Sequence, residues 1–200
     1  MVYSNFTGKM GSKDYLKYAL FSLMEGKSIY KITVKELCDR AMINRSTFYD
    51  NYDNIEDFIN QIMTDLATGL VKAMKTEGSL EEMLSNEDLA VRMYTKWYQY
   101  VHDHYDAFRI LMGSTGTPVF REMLFKQGWD RYTALLEPIT SRKDKNASLE
   151  ILVNYIIGAH MGLLEYYINS GMTFSPEYMA EQMVSITMSG PYSLLNRKYR

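Results

Sequence analysis

The chain has 200 residues, of which 46% are hydrophobic, and this is enough for one large domain or two small domains with apolar cores. The formal net charge of −2 excludes a general binder of polyanions. Residues 1–55 carry eight Lys or Arg against six Asp or Glu, whereas the remainder carries fourteen against eighteen. This asymmetry has the sign expected for nucleic-acid binding at the N-terminus, and ordinary scatter explains it equally well.

Two features of the composition bear on the cellular compartment. The single cysteine, Cys38, allows no internal disulfide, and residues 1–10 lack the apolar core of a signal peptide. Residues 149–168 are apolar enough to suggest a membrane span, but Glu150, Asn154, His160 and Glu165 interrupt them, which favours a buried helix. We therefore expect a cytoplasmic protein without a membrane anchor.

The first predicted helix runs from about Lys13 to Glu25, with Ser12 as N-cap and Gly26 at its end. Its apolar residues recur at helical spacing and consist of Leu16, Ala19, Leu20 and Leu23.

Residues 32–52 predict two short helices joined by a tight turn. Thr33 and Glu36 have the spacing of a capping box at the start of the first of these helices. Its apolar stripe consists of Val34, Leu37, Cys38 and Ala41. The turn is residues 41–43, and Asn44 is the expected N-cap of the second helix.

The second of these helices predicts two different faces. At about 100° per residue, Phe48 and Asn51 point inward, with Tyr52 at the flank. The outward face carries a cation, a hydroxyl, a phenol and a carboxylate, which are Arg45, Ser46, Tyr49 and Asp50. A helix-turn-helix presents such a face to the DNA major groove, where Arg can bond guanine through two hydrogen bonds.

The pattern T-V-x-x-L-C-x-x-A-x-I-x-x-S-T-F-Y-x-x-Y, from Thr33 to Tyr52, resembles the DNA-binding domain of the tetracycline-repressor (TetR) family. The resemblance implies an all-α protein, with a three-helix helix-turn-helix domain at residues 1–53 and a helical ligand-binding and dimerisation domain at residues 54–200. A looser resemblance of residues 162–183 is to a branch of the family that includes activators of dihydroxyacetone-kinase operons.

The resemblance also implies where DNA would bind. In the family the first helix starts beside the DNA backbone, which makes its two lysines phosphate candidates, although a solvated helix face explains them equally well. The predicted DNA-binding residues are Lys13, Lys17, Thr33, Arg45, Ser46, Thr47, Tyr49, Asn51 and Tyr52.

Two positions depart from the family pattern. Met42 stands in the turn where the family usually has Gly, which is favoured there for its backbone freedom. Ile55 stands where the family usually has a Lys that holds a phosphate, so we expect DNA binding to be salt-sensitive but not especially tight.

The rest of the chain predicts helices only. A fourth helix, expected to be capped by Asp53 with Glu56 three residues later, runs to about Lys75 and connects the two domains. In the family it is the lever through which a ligand changes the spacing of the two DNA-binding domains. Further helices are predicted at 80–85, 88–102, 105–112, 118–137, 148–170 and 176–189.

The last two long helices predict assembly. Residues 149–168 are apolar around nearly the whole circumference, so neighbours must cover this helix on more than one side. Gly158 and Gly162 allow close backbone approach. Two such helices from each of two subunits would form a four-helix homodimer interface, as in the family; the alternative is that both helices are the core of a monomer.

Large amphipathic side chains in the C-terminal part suggest a ligand site, although such residues belong more often to a core. The predicted ligand-binding residues are Trp97, Phe108, Met123, Trp129 and His160. His102 and His104 are two residues apart and diverge on a helix, and no cluster completes four ligands, so we predict no metal and no cofactor.

These patterns favour a dimeric one-component transcriptional regulator. Repression is the commoner mode in the family that the chain resembles, so we expect a repressor, and the alternative is an activator. Its N-terminal domains would bind a palindromic DNA operator, under the control of a small molecule or a protein partner. The alternative is a sensor or partner-binding protein of the same fold that has lost DNA binding, which Met42 and Ile55 motivate. We find no nucleophile elbow, phosphate loop or catalytic triad, so we do not expect an enzyme.

Overall fold

The computed structural model describes residues 11–74, 82, 86–140 and 148–190, with side chains described for all of these except 138–140. Within these ranges the backbone forms nine α-helices and one short 3-10 helix at Ile29–Lys31, and no strand. The α-helices are α1 (Ser12–Met24), α2 (Val34–Ala41), α3 (Arg45–Tyr49), α4 (Ile55–Ala73), α5 (Glu87–Asp103), α6 (Tyr105–Met112), α7 (Pro118–Thr140), α8 (Leu149–Asn169) and α9 (Pro176–Ser189). The all-α prediction is confirmed, and the helix predicted at 80–85 lies outside the described residues except for Glu82.

Two helices begin one residue away from the predicted cap. The N-cap of α1 is Gly11 instead of Ser12, because the Asp14 carboxylate accepts a hydrogen bond from the Gly11 backbone N–H at 3.0 Å. The cap of α4 is Asn54 instead of Asp53, because its side-chain oxygen accepts from the N–H of Asp57 at 2.9 Å. In both cases a carboxylate three residues after the cap lies in the first turn, where its negative charge also interacts favourably with the positive end of the helix dipole.

The described residues form two compact units, and each unit draws on two stretches of the chain. The first unit contains the residues up to Leu66 together with Tyr105–Arg121. The second unit contains Ala67–His104 and the residues from Glu122 onward. The domain boundary predicted at residue 53 marks the end of the DNA-binding motif and stays a prediction.

The core of the first unit is built on α1, which packs on α2 and α6. Fully buried side chains from these helices meet there and include Leu16, Leu20, Phe21, Met24, Leu37 and Phe108. The backbone N–H of Ile29 donates to the carbonyl of Thr115 at 3.2 Å, and the Tyr30 and Thr117 hydroxyls are 2.6 Å apart. Residues 105–121 are therefore bonded to the same unit that carries the helix-turn-helix.

The second unit is organised by α5 and α9, which pack along each other. Tyr98 of α5 and Tyr167 of α8 are fully buried, with ring centroids 5.1 Å apart in an edge-to-face arrangement. By length and composition, α8 is one helix in the described part of the chain that could cross a membrane, a test that core helices also pass. One side of α8 is buried in this unit, and the other side remains exposed.

Candidate nucleic-acid interface and cavity

The helix-turn-helix forms through local hydrogen bonds that the sequence predicts. The Thr33 N–H donates to a carboxylate oxygen of Glu36 at 3.0 Å, and the Glu36 N–H donates to the Thr33 hydroxyl at 3.3 Å, so the capping box is confirmed. Lys27 adds an ion pair to Glu36 at 2.6 Å. The hydrogen bonds from Lys27 and Thr33 lower the pKa of Glu36 to about 2, so the cap holds its charge at all physiological pH values.

The turn between α2 and α3 has a left-handed residue at Met42, with φ 56° and ψ 39°. The Met42 side chain is 93% exposed, and the N–H of Ile43 donates to the carbonyl of Cys38 at 3.0 Å. The turn thus has the backbone geometry for which Gly is favoured, and the methionine adopts it at a steric cost of about 1–2 kcal/mol.

An aromatic cluster holds α3 in place. Phe48 is fully buried, with ring centroids 5.4 Å from Tyr52 and 5.8 Å from Phe58 of α4. Tyr52 and Phe58 are 4.8 Å apart. A five-residue helix is too short to be stable alone, so this cluster fixes its orientation.

The outward face of α3 is open to solvent. Arg45 and Ser46 are exposed, and Tyr49 is 57% exposed with its ring packed edge-on against Phe48. Asn44 caps the helix by accepting a hydrogen bond from the Ser46 N–H at 3.4 Å. A guanidinium, a hydroxyl and a phenol therefore stand together on the face that the sequence analysis selected.

The other predicted DNA-binding residues of the helix-turn-helix differ in exposure and in their hydrogen bonds. Asn51 was predicted to face inward, and this is wrong: α3 ends at Tyr49, and Asn51 is exposed in the following turn with its amide donating to the carbonyl of Thr47 at 2.8 Å. Tyr52 has its ring in the aromatic cluster and is 9% exposed. Thr47 is half-buried, and the Thr33 hydroxyl is engaged in the capping box.

Neither lysine of α1 is a fully exposed, unpaired cation. Lys13 pairs with Asp65 of α4 at 2.8 Å, and this hydrogen bond raises the pKa of Lys13. Burial lowers the pKa of Lys17, which is half-buried on the same helix. A DNA phosphate would compete with Asp65 for Lys13, so that lysine would contribute less than a free cation.

Ile55, which stands where the family usually has a phosphate-binding lysine, lines an apolar groove in the first unit. The groove has a volume of about 240 Å³. Its other lining residues are Ile29, Tyr30, Ile32, Glu56, Ile59, Asn60, Met63, Thr117 and Val119.

The second unit contains a small cavity with apolar walls and a polar chain. Its volume is about 50 Å³, room for a few water molecules. Its lining residues include Leu70, Met74, Trp97, Leu124, Ile157, Met161 and Leu164. The hydroxyls of Tyr94 and Tyr132 are 2.7 Å apart, and the Tyr132 hydroxyl is 2.8 Å from Nδ1 of His160.

Of the predicted ligand-binding residues, the cavity brings together Trp97 and His160. Phe108 is fully buried in the core of the first unit, where it packs on Phe120. Met123 and Trp129 are half-buried on α7 and do not line this cavity. Tyr94 and Tyr132 belong to the large amphipathic side chains that suggested a ligand site, but they were not among the five predicted ligand-binding residues, and Arg131 was missed. One signal for a polar partner was that His160, inside an apolar helix, needs a hydrogen bond.

The two histidines considered for a metal lie at the end of α5. His104 Nδ1 is 2.9 Å from the carbonyl of Tyr100, and His102 Nδ1 is 3.9 Å from the Asp103 carboxylate. In the ranges that the structure describes, no three His, Cys, Asp or Glu side chains form a group able to hold a metal ion.

A helix-turn-helix with an exposed polar face, joined to a helical unit with an internal cavity, defines the class of helical transcriptional regulators. The TetR-family model of the transcriptional regulator C-terminal region matches residues 90–189, which is half of the chain. The chain therefore belongs to the TetR family of transcriptional regulators.

The proteins that are similar to the chain include one curated relative and several solved structures, of which two are described below. An uncharacterized HTH-type transcriptional regulator of Bacillus subtilis (strain 168), YxbF, is 24% identical over 173 residues. That match covers 84% of this chain but 42% of YxbF, so the chain spans less than half the length of this relative.

The two structures share the fold at low sequence identity. FadR from Bacillus subtilis, solved in complex with stearoyl-CoA, has a TM-score of 0.60 at 11% identity, covering 88% of this chain and 97% of its own. The dihydroxyacetone kinase operon activator DhaS has a TM-score of 0.57 at 15% identity, covering 89% of this chain and 94% of its own. At these identities the likeness concerns the fold and singles out no branch of the family.

Proposed function

We propose that the chain is a homodimeric repressor that binds a palindromic operator through α3 and releases it when an effector occupies the cavity. The observation that carries the proposal is the exposed face of Arg45, Ser46 and Tyr49 on a short helix anchored by Phe48. Arg can contact guanine edges, and hydroxyls can contact bases or phosphates. Family membership supports this use of the face.

Dimerisation through α8 and α9 explains an exposed apolar stripe. On α8 the stripe consists of Ile151, Tyr155, Gly158, Gly162 and Tyr166. A Cβ atom added at either glycine would meet no atom of its own subunit within 4 Å. These glycines are therefore not needed for packing within the subunit, which favours a partner helix over the alternative of a monomer core.

The proposed effector role of the cavity is supported by the helices that form its walls. They include residues from the second half of α4 and from α7, and α4 also carries the Phe58 contact that orients α3. Because about 50 Å³ is small, a larger molecule enters only if these helices move apart. A ligand that binds the opened state better shifts the population towards that state, and the ligand-bound structure of a fold relative supports such a site.

The alternative, a protein of this fold that no longer binds DNA, is favoured by Ile55 alone. Its side chain lines the apolar groove and offers no charge to a phosphate. Met42 does not favour it, because the turn keeps its left-handed geometry. We therefore propose DNA binding that is weakened in its sequence-independent part, and in which operator contacts carry more of the affinity.

Fluorescence anisotropy on DNA from upstream of the protein's own gene tests the proposal. Arg45→Ala and Tyr49→Ala should each weaken binding by about 1–3 kcal/mol, whereas scrambled DNA should bind the variants and the parent alike. Arg92→Ala, which removes the same charge from an exposed site in the second unit, is the matched control. Parental affinity in both α3 variants would contradict the assigned face. If neither the upstream DNA nor any genomic fragment bound more tightly than scrambled DNA, the alternative without DNA binding would be favoured.

A further inference from the structure

The apolar groove of the first unit is formed by three elements: the 3-10 helix at Ile29–Lys31, the first half of α4 and the start of α7. On α4 the lining residues Ile55, Ile59 and Met63 follow one another at intervals of four residues, so they form one continuous apolar strip. Ile55 and Ile59 are half-buried, and Val119 is 44% exposed. Hydrocarbon in the groove therefore faces solvent, and covering it with an apolar molecule is favourable.

The polar side chains of the groove divide into a bonded pair and an unbonded pair. The Tyr30 and Thr117 hydroxyls are hydrogen-bonded to each other at 2.6 Å. Glu56 and Asn60 are exposed, and within the described residues their side chains make no hydrogen bond or ion pair. They are four residues apart on α4, so a carboxylate and an amide stand one turn apart beside the apolar strip, and both are available to a ligand.

Size and charge restrict what can occupy the groove. Its volume of about 240 Å³ exceeds the roughly 150 Å³ of a protein cavity that binds benzene, so it suits one ring with a short side chain. A stable protein partner covers about 800 Å² on each side, which would extend far beyond the groove. Glu56 is the charged residue among those that line it, so the groove attracts a cation and repels a carboxylate or a phosphate.

We propose that this groove binds an apolar monocation, such as a primary amine on a single hydrocarbon ring. The ring covers the isoleucines, and the ammonium group is held by Glu56 and the side-chain oxygen of Asn60. The groove shares no lining residue with the cavity of the second unit. Phe58, on the same stretch of α4, contacts Phe48, so an occupant adjoins the helix that anchors α3. Binding at the groove depends neither on DNA nor on the effector proposed for the cavity.

Methyl NMR shows whether the groove is occupied, because four isoleucines line it and another isoleucine, Ile157, lines the cavity. The isoleucines of the groove are Ile29, Ile32, Ile55 and Ile59. In protein labelled at the isoleucine δ1 methyl groups, each assigned through its substitution by valine, benzylamine should shift the four groove signals and leave that of Ile157 in place. Shifts confined to Ile157 would place the molecule in the cavity and overturn the proposal, and so would the absence of any shift.

Three probes with the same ring test the charge: benzylamine, benzyl alcohol and phenylacetate. In titrations followed by the methyl shifts, the amine should bind about threefold more tightly than the alcohol, as expected for an exposed ion pair that the helix dipole at the start of α4 opposes. Phenylacetate should bind more weakly than the alcohol. The preference for the amine over the alcohol should shrink at about 1 M salt, since salt screens exposed charges.

Three variants separate the charge from the apolar walls. Glu56→Gln should make the amine bind no more tightly than the alcohol and leave the affinity for the alcohol unchanged. Asp39→Asn, which removes the same charge from an exposed site of the first unit outside the groove, should keep the preference. Val119→Trp, at an exposed position, should fill the groove and prevent shifts from all three probes. Equal binding of amine and alcohol in the parent, tighter binding of phenylacetate, or an amine preference that survives Glu56→Gln would overturn the proposed class of ligand.

Discussion

Acidification should destabilise the fold through one side chain, His160. Burial lowers the pKa of this imidazole from 6.5 to about 3 in the folded protein. Below pH 6.5 the unfolded chain takes up a proton on this histidine, whereas the folded chain does not until about pH 3. The free energy of unfolding therefore falls as the pH is lowered through this window, by about 1.4 kcal/mol per pH unit.

Between about pH 7.5 and about pH 5 the expected loss is about 2 kcal/mol. This is a large share of the roughly 5–15 kcal/mol by which proteins are stable. The loss requires only that the folded pKa lies well below pH 5.

Urea unfolding at several pH values measures this loss at a fixed protein concentration, because the proposed dimerisation would make stability depend on concentration. The parent and His160→Leu share every carboxylate, so the pH dependence of the difference between them isolates the histidine. His102→Gln, which removes a half-exposed histidine at the end of α5, is the control. Parallel pH profiles for the parent and His160→Leu would refute the argument that the buried imidazole stays neutral.

Three further variants probe the turn, the groove and the exposed stripe. Met42→Gly should stabilise the protein by up to about 1 kcal/mol in urea unfolding, because relief of left-handed strain exceeds the entropy cost of glycine; a loss of stability would contradict a strained turn. Ile55→Lys should strengthen binding to all DNA sequences and steepen the dependence of log K on log salt by about one, while Ile55→Gln should not. Gly158→Leu should leave the subunit folded but weaken the dimer about ten- to a hundredfold in sedimentation, through overpacking of about 1–3 kcal/mol; an unchanged dimer would place the interface elsewhere.

Local features of the fold could be predicted because they depend on residues a few positions apart. The capping box of Thr33 and Glu36 and the Asn44 cap satisfy backbone N–H groups within one turn, and both are present as predicted. The bounds of α6 and α9 match the prediction to the residue. The caps at Gly11 and Asn54 were missed because, on residue type, Ser12 is a better N-cap candidate than Gly11 and Asp53 is as good a candidate as Asn54.

Long-range features could not be predicted from one sequence. Tyr94, Tyr132 and His160 are 38 and 28 residues apart along the chain, and no periodicity connects them. Phe108 was assigned to a ligand site as one of the large side chains of the C-terminal part, but packing places it in the core of the first unit. Which face of an amphipathic helix meets which partner is decided by tertiary packing, and the aromatic residues alone do not encode it.

The division of the first unit between two stretches of chain limits how this protein can be recombined with its relatives. A single genetic junction after the helix-turn-helix would leave residues 105–121 behind, and with them the hydrogen bonds to Ile29 and Tyr30. A chimaera that moves the whole unit intact needs three junctions, near residues 66, 104 and 121. If α3 contacts the operator as proposed, exchange of DNA specificity between such regulators is therefore easier by point substitution on α3 than by swapping segments.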